Sequence, residues 1–279
     1  MFTLKMSNIF ITMVMVFQVC YALFSLTVPM SVSANLLASQ VFCFIIPVLI
    51  YMAATRQKLA NMVEVKALSL KNILYIIALS ILIQPFIMLI SALTSMILPN
   101  PVTALFTNVS GESPPVATMF IMCITPAICE EIALRGAAAQ NLKYQGTMGA
   151  ILNGLYFGII HLNFHQFPYA FILGVMLYYM LRICGSILAP MLAHFTVNLS
   201  QIALFYLSAS AEPVQTQPEA VSIAPLFIFI ILTTFSFIYI FKKFSDENSF
   251  VNIKPAEADN VFDKSFLIML AVYATLMLL

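Results

Sequence analysis

Three small polar groups stand out as side chains able to do chemistry together: Glu130 and Glu131 with Arg135, then Phe157 and His161, then His194 with Asn198. Each lies in a stretch that is otherwise apolar. Ionisable side chains in hydrocarbon cost from about 2.5 kcal/mol upward unless partners or water rescue them, so a chain that retains several has a use for them. Glu131 and Arg135 are four residues apart with the acid first, the favourable order for a helical ion pair. Glu130 points about a third of a turn away and is free to face something else. If both acids served only as packing partners of Arg135, a surplus charge would remain in a costly place.

His194 and Asn198 are again four apart, which puts both on one helical face. Two hydrogen-bond donors converging on one point suit an anionic tetrahedral intermediate; the plainer reading of Asn198 is interhelical hydrogen bonding, worth about 0.6 kcal/mol. His161 alone is weak evidence, because a lone buried imidazole usually satisfies a neighbouring helix. With a carboxylate shielded from bulk water, the set supplies water activation and oxyanion stabilisation, and amide hydrolysis is the natural reaction. His165 follows His161 by four residues, but near Asn163 and Pro168 it is expected in an external turn.

The elements that must position these groups are membrane helices. Hydrophobic residues make up 62% of the 279 and charged residues only 8%, against about 25% charged in ordinary globular chains, and mean hydropathy is +1.01. A net charge of +1 offers no basic surface for nucleic acid. Cys20, Cys43, Cys123, Cys129 and Cys184 occur singly in apolar segments, which fits small packing residues and neither a disulfide framework nor a thiolate metal site.

Stretches of about 20 apolar residues predict an all-α, polytopic transmembrane bundle of about eight spans, with residues 1–279 one membrane domain. The expected spans are 8–30, 35–54, 73–98, 116–141, 146–163, 167–183, 186–207 and 223–241. Residues 265–279 are apolar but short, either a ninth span or an interfacial segment. The first apolar run is too long for a signal peptide. Threaded alternately, the spans put Lys5, Arg56, Lys58, Lys66, Lys71, Lys143, Arg182, Lys242, Lys243, Lys254 and Lys264 on one side, and no Lys or Arg in loops 31–34, 99–115, 162–166 and 208–222. The positive-inside rule then predicts a cytoplasmic N-terminus. Residues 56–72 could hold a short interfacial helix with Leu59, Met62, Val63 and Leu70 near one face, whereas 99–115 and 210–218, rich in Pro, Ser, Gly and Thr, read as external loops. No internal repeat is evident.

At these residues the chain resembles the CAAX protease and bacteriocin-processing family of intramembrane endopeptidases, also called the Abi family. The matching motifs are Glu130-Glu131-x-x-x-Arg135, Phe157-x-x-x-His161 and His194-x-x-x-Asn198, with the run from Arg182 to His194 similar to the family's approach to its third motif. The likeness covers 116–201, the expected catalytic core. It implies a helical bundle with a cavity open toward the cytoplasm, glutamate-type catalysis, and no cofactor or required metal. Carried over, Glu130 is the general base, His161 helps hold the water, His194 and Asn198 form the oxyanion site, Arg135 orients the acidic pair and Phe157 shapes the pocket. The implied partners are membrane lipid and a peptide or prenylated-protein substrate, the natural one unreadable from sequence, as is the oligomeric state. Compact loops and the lack of a recognisable targeting extension lean toward a bacterial plasma membrane.

Three other readings compete. A zinc protease would use His161, His165 and His194, yet no Glu follows His161 as a helical zinc pair requires. A non-catalytic scaffold or bacteriocin self-immunity protein would share the family's motifs without cutting. A proton-coupled carrier could use Glu130 and the histidines as a relay, but lacks repeated or broken helices.

Overall fold

Helices account for every regular element among the residues that this computed structural model describes, 4–142, 146–210, 224–250 and 263–278. They are α1 (Leu4–Ser25), α2 (Val32–Thr55), α3 (Leu70–Ser95), α4 (Pro101–Glu112), α5 (Pro115–Gln140), α6 (Gly146–Ile159), α7 (Phe167–Cys184), α8 (Leu188–Ser210), α9 (Ala224–Glu247) and α10 (Lys264–Leu278). The polytopic bundle expected from hydropathy is present, with 7 described helices long and apolar enough to cross a membrane. The expected eighth, at 146–163, is not among them. α6 has 14 residues and so runs about 21 Å, short of the roughly 30 Å hydrocarbon core. It can be short because its residues from Gly146 to Ile159 are mostly buried against protein, not lipid. α10, with 15 residues, is also too short for a straight span and docks on α1, where Asn8 donates to Ser265 at 3.0 Å.

Glycine lets α6 and α7 approach closely. A Cβ at Gly154 would lie 2.7 Å from the Phe171 carbonyl oxygen, and one at Gly174 2.8 Å from the Gly154 Cα. Side-chain-free contact of this kind is how helices associate where lipid removes the hydrophobic drive between them. α6 ends just before His161, and Leu162 then takes a left-handed conformation (φ 45°) that turns the chain toward α7.

Contacts sort the helix ends into two groups. At one end Ser7 donates to the Ala138 carbonyl, Gln140 to the Asn61 carbonyl, Lys66 N–H to Ser186, and Lys71 pairs with Glu247 at 2.8 Å. At the other, Glu112 accepts from Val32 and Ser33, and Ser95 is bonded to His165 at 2.8 Å. The first end is the Lys-rich end anticipated from the loops; Lys143, Lys254 and the loop 210–218 fall, in whole or for most of their length, outside the described residues.

Two loops carry more structure than their composition suggests. The predicted interfacial helix within 56–72 is a single turn, Leu59–Met62, followed by extended chain. The expected external loop 99–115 contains α4, started by Asn100, whose side chain accepts from Val102 N–H, and by Pro101 at the first helical position. Both are standard N-terminal devices: the cap satisfies an orphan donor and the proline lacks one.

Candidate active site

The acidic pair sits in a short α-helical stretch, Thr125–Glu131, flanked within α5 by the π-helical turns Phe120–Ile124 and Ile132–Ala137. A π turn releases carbonyls from the usual ladder, and such turns gather at functional sites. Here they are used: Asn198 donates its amide to the Met122 carbonyl at 3.1 Å, and Asn153 to the Leu134 carbonyl at 3.3 Å.

Glu131 and Arg135 form the ion pair that their spacing predicts, at 3.0 Å. Glu131 is 0% exposed and Arg135 2%. The same Glu131 oxygen, Oε1, also accepts from His194 Nδ1 at 2.8 Å. Arg135 donates a second bond to the Gly174 carbonyl at 3.1 Å and lies over the Phe157 ring at 4.7 Å. Glu130 takes no part in this pairing. Its Oε1 accepts from Gln40 Nε2 of α2 at 3.1 Å, so the reading in which both acids serve Arg135 does not describe the molecule.

Phe157 is the wedge between the two histidines. Its ring meets His161 edge-on at 4.9 Å and His194 at 5.5 Å. His161 Nδ1 lies 2.6 Å from the Phe157 carbonyl, an acceptor only, so Nδ1 carries the hydrogen and Nε2 is left with a lone pair. His194 Nδ1–H is likewise spent on a carboxylate. Each imidazole therefore has Nε2 as the nitrogen left for other work.

Glu130, His161, His194, Asn198 and Phe157 line one cavity of about 190 Å³. A second cavity of about 270 Å³, lined in part by Gln18, Ser39 and Cys43, shares Gln40, Glu130 and His161 with the first. Side chains from α2, α5, α6 and α8 thus converge deep in the bundle. Gln40 and Gln18 escaped the sequence reading, although both are polar residues in apolar helices, the same signal that marked the glutamates.

His165 lies in the α6–α7 turn as expected, but it is 1% exposed and bonded to Ser95. The turn packs under the end of α3, which is why an apparently external residue is buried. It lines neither cavity, and among the described residues no group of three or more His, Cys, Asp or Glu side chains is arranged to hold a metal ion.

The remainder of the larger cavity comes from one end of the bundle: Val102, Leu105 and Phe106 of α4, Leu36 near the start of α2, Tyr169 near the start of α7, and Gln201 in the second half of α8. These belong to the end without Lys or Arg. A cytoplasmic N-terminus and a cavity open toward the cytoplasm, both expected above, are therefore incompatible: the charge pattern and the opening lie at opposite ends.

With this geometry in view, residues 112–200 match a known family model, described as Rce1-like: type II CAAX prenyl endopeptidase Rce1-like. That is the CAAX protease and bacteriocin-processing family. The resemblance carried by the three motifs holds over this segment, which runs from the end of α4 into α8. The family is one of proteases, and with the long apolar helices the match supports an integral membrane protein. Comparison with curated proteins and with solved structures gives no match.

Proposed function

We propose that the protein is an intramembrane endopeptidase that hydrolyses a peptide bond with a water molecule activated by Glu130. The observation that carries this reading is the convergence of Glu130, His161, His194 and Asn198 on a single cavity, with Glu130 held by Gln40 and left out of the Arg135 pair.

In this reading Glu130 takes a proton from water while His161 Nε2 accepts the other hydrogen and fixes the oxygen. The resulting hydroxide adds to the peptide carbonyl carbon, and the carbonyl oxygen becomes an oxyanion. His194 Nε2–H and the second amide hydrogen of Asn198 stabilise it. Donation from His194 Nε2 requires the ring to carry both hydrogens, a positive charge that the Glu131 carboxylate opposite Nδ1 accommodates. The four charges Glu130, Glu131, Arg135 and His194 then sum to zero, which removes the surplus that the sequence alone left unexplained. Collapse of the intermediate breaks the C–N bond as the proton on Glu130 passes to the leaving nitrogen, giving a carboxylate and an amine.

The test uses the full chain in liposomes with an internally quenched peptide, supplied both farnesylated and unmodified. Cleavage is expected to vanish in Glu130→Gln at unchanged expression and fold. Wild-type turnover in that variant would overturn the assignment, and cleavage of neither peptide by the wild-type protein, with a broad peptide library also uncut, would favour the scaffold or immunity role.

A further inference from the structure

We infer that the cavity receives its substrate from the extracytoplasmic face of the membrane, so that the peptide cut is one presented outside the cytoplasm and not the cytosolic tail of a protein. The inference rests on the reading of the cavity as a hydrolytic site, but the side from which it opens is fixed by separate observations.

Charge fixes the orientation. Of the 12 Lys and Arg residues, Arg135 is buried in the bundle and the others fall at one end by the threading of the spans. Contacts bring the segments bearing Lys66, Lys71 and Arg182 together there: Lys66 N–H bonds Ser186, Lys71 pairs with Glu247, and Arg182 shares a cleft with Asn61 and Glu64. Loops 31–34, 99–115, 162–166 and 208–222 contain no basic residue. So complete an asymmetry in short loops retains the Lys-rich end in the cytoplasm.

The cavity opens at the other end. α4, from loop 99–115, contributes Val102, Leu105 and Phe106 to its lining, and the Phe106 ring packs on Phe205 of α8 at 5.7 Å. The opposite face of α4 carries exposed Thr103, Thr107 and Asn108, so the helix lies with its apolar side on the cavity and its polar side toward water. From the cytoplasmic end the site is closed by the fully buried Glu131–Arg135 pair, the Phe157 ring and the Gly174 backbone. A peptide reaching Glu130 must therefore pass α4.

The experiment labels single cysteines in cells with a membrane-impermeant maleimide, using the full chain with Cys20, the exposed native cysteine among the described residues, changed to Ala. Thr107→Cys on α4 is expected to label on intact cells, and Lys58→Cys only after permeabilisation. The reverse pattern would overturn the inference, as would labelling of both positions only after permeabilisation. Because labelling needs no turnover, its outcome is independent of whether Glu130→Gln abolishes cleavage. A non-permeant quenched peptide should in addition be cut by right-side-out vesicles and spared by inverted ones.

Discussion

One oxygen of Glu131, Oε1, holds both Arg135 Nη1 at 3.0 Å and His194 Nδ1 at 2.8 Å. The second acid of the motif is thereby the link between α5 and the imidazole of α8, and Arg135 reaches on to the α7 backbone at Gly174. Removing Glu131 leaves a guanidinium buried with no counter-charge, and breaking a buried pair in this way costs about 3–5 kcal/mol. Glu131→Ala is expected to lower both the yield of folded protein and its thermal unfolding temperature in detergent, with activity falling further because His194 loses its orientation. Arg135→Ala should behave alike. Equal stability of Glu131→Ala and the parent would show that the pair is not a structural link.

Gln40 tests whether Glu130 must be held in place. Its amide donates to the Glu130 carboxylate from α2, outside the segment that carries the motifs. Gln40→Met keeps the length of the side chain and removes the donor. Hydrogen bonds to charged groups contribute about 1.5–3 kcal/mol, so kcat is expected to fall about 10- to 100-fold while KM and the unfolding temperature change little. Steady-state kinetics on the quenched peptide separate this from a packing defect, which would move stability along with kcat.

The α6–α7 contact leaves no room for a methyl group. A Cβ on Gly174 would sit 2.7 Å from the Phe157 Cβ and 2.8 Å from the Gly154 Cα, and backbone at that distance cannot rotate aside. Gly174→Ala should destabilise the protein by about 1–3 kcal/mol, the usual scale of overpacking, and reduce turnover because Phe157 braces both histidines. Gly111→Ala is the control: nothing lies within 4 Å of its Cβ, and in helix α4 alanine should stabilise by about 0.5–1 kcal/mol. Unfolding of the two variants, measured side by side in the same detergent, checks the contrast.

Apolar runs revealed the bundle because in a membrane the required length of a helix is written in its composition. The motif residues were legible for the related reason that an ionisable group in hydrocarbon is conspicuous. What stayed hidden was short or came from far along the chain. α4 was masked by Thr, Ser and Gly, though Asn100-Pro101 was a readable start signal. α6 looked longer than it is, because the residues after Ile159 remain apolar while the backbone turns at Leu162. Gln40 lies 90 residues from Glu130, a pairing that no local spacing rule can supply. The end at which the cavity opens likewise depends on where α4 folds back, which hydropathy does not record.

Glu112 gives a prediction in pH. It ends α4 and its carboxylate accepts from the Ser33 and Val32 backbone N–H groups at the start of α2, where the helix dipole also favours a negative charge. These bonds, first Ser33 and then Val32, hold its carboxyl below the ordinary value. A group held low in the folded state contributes stability that is fully present above its unfolded value of about 4.3 and is lost as pH falls through the lower folded value. The parent should therefore unfold at higher temperature than Glu112→Gln at neutral pH, and the gap should close on acidification below about pH 4. A gap that persisted unchanged to lower pH would show that the charge of Glu112 does not secure α2 to the helix over the cavity.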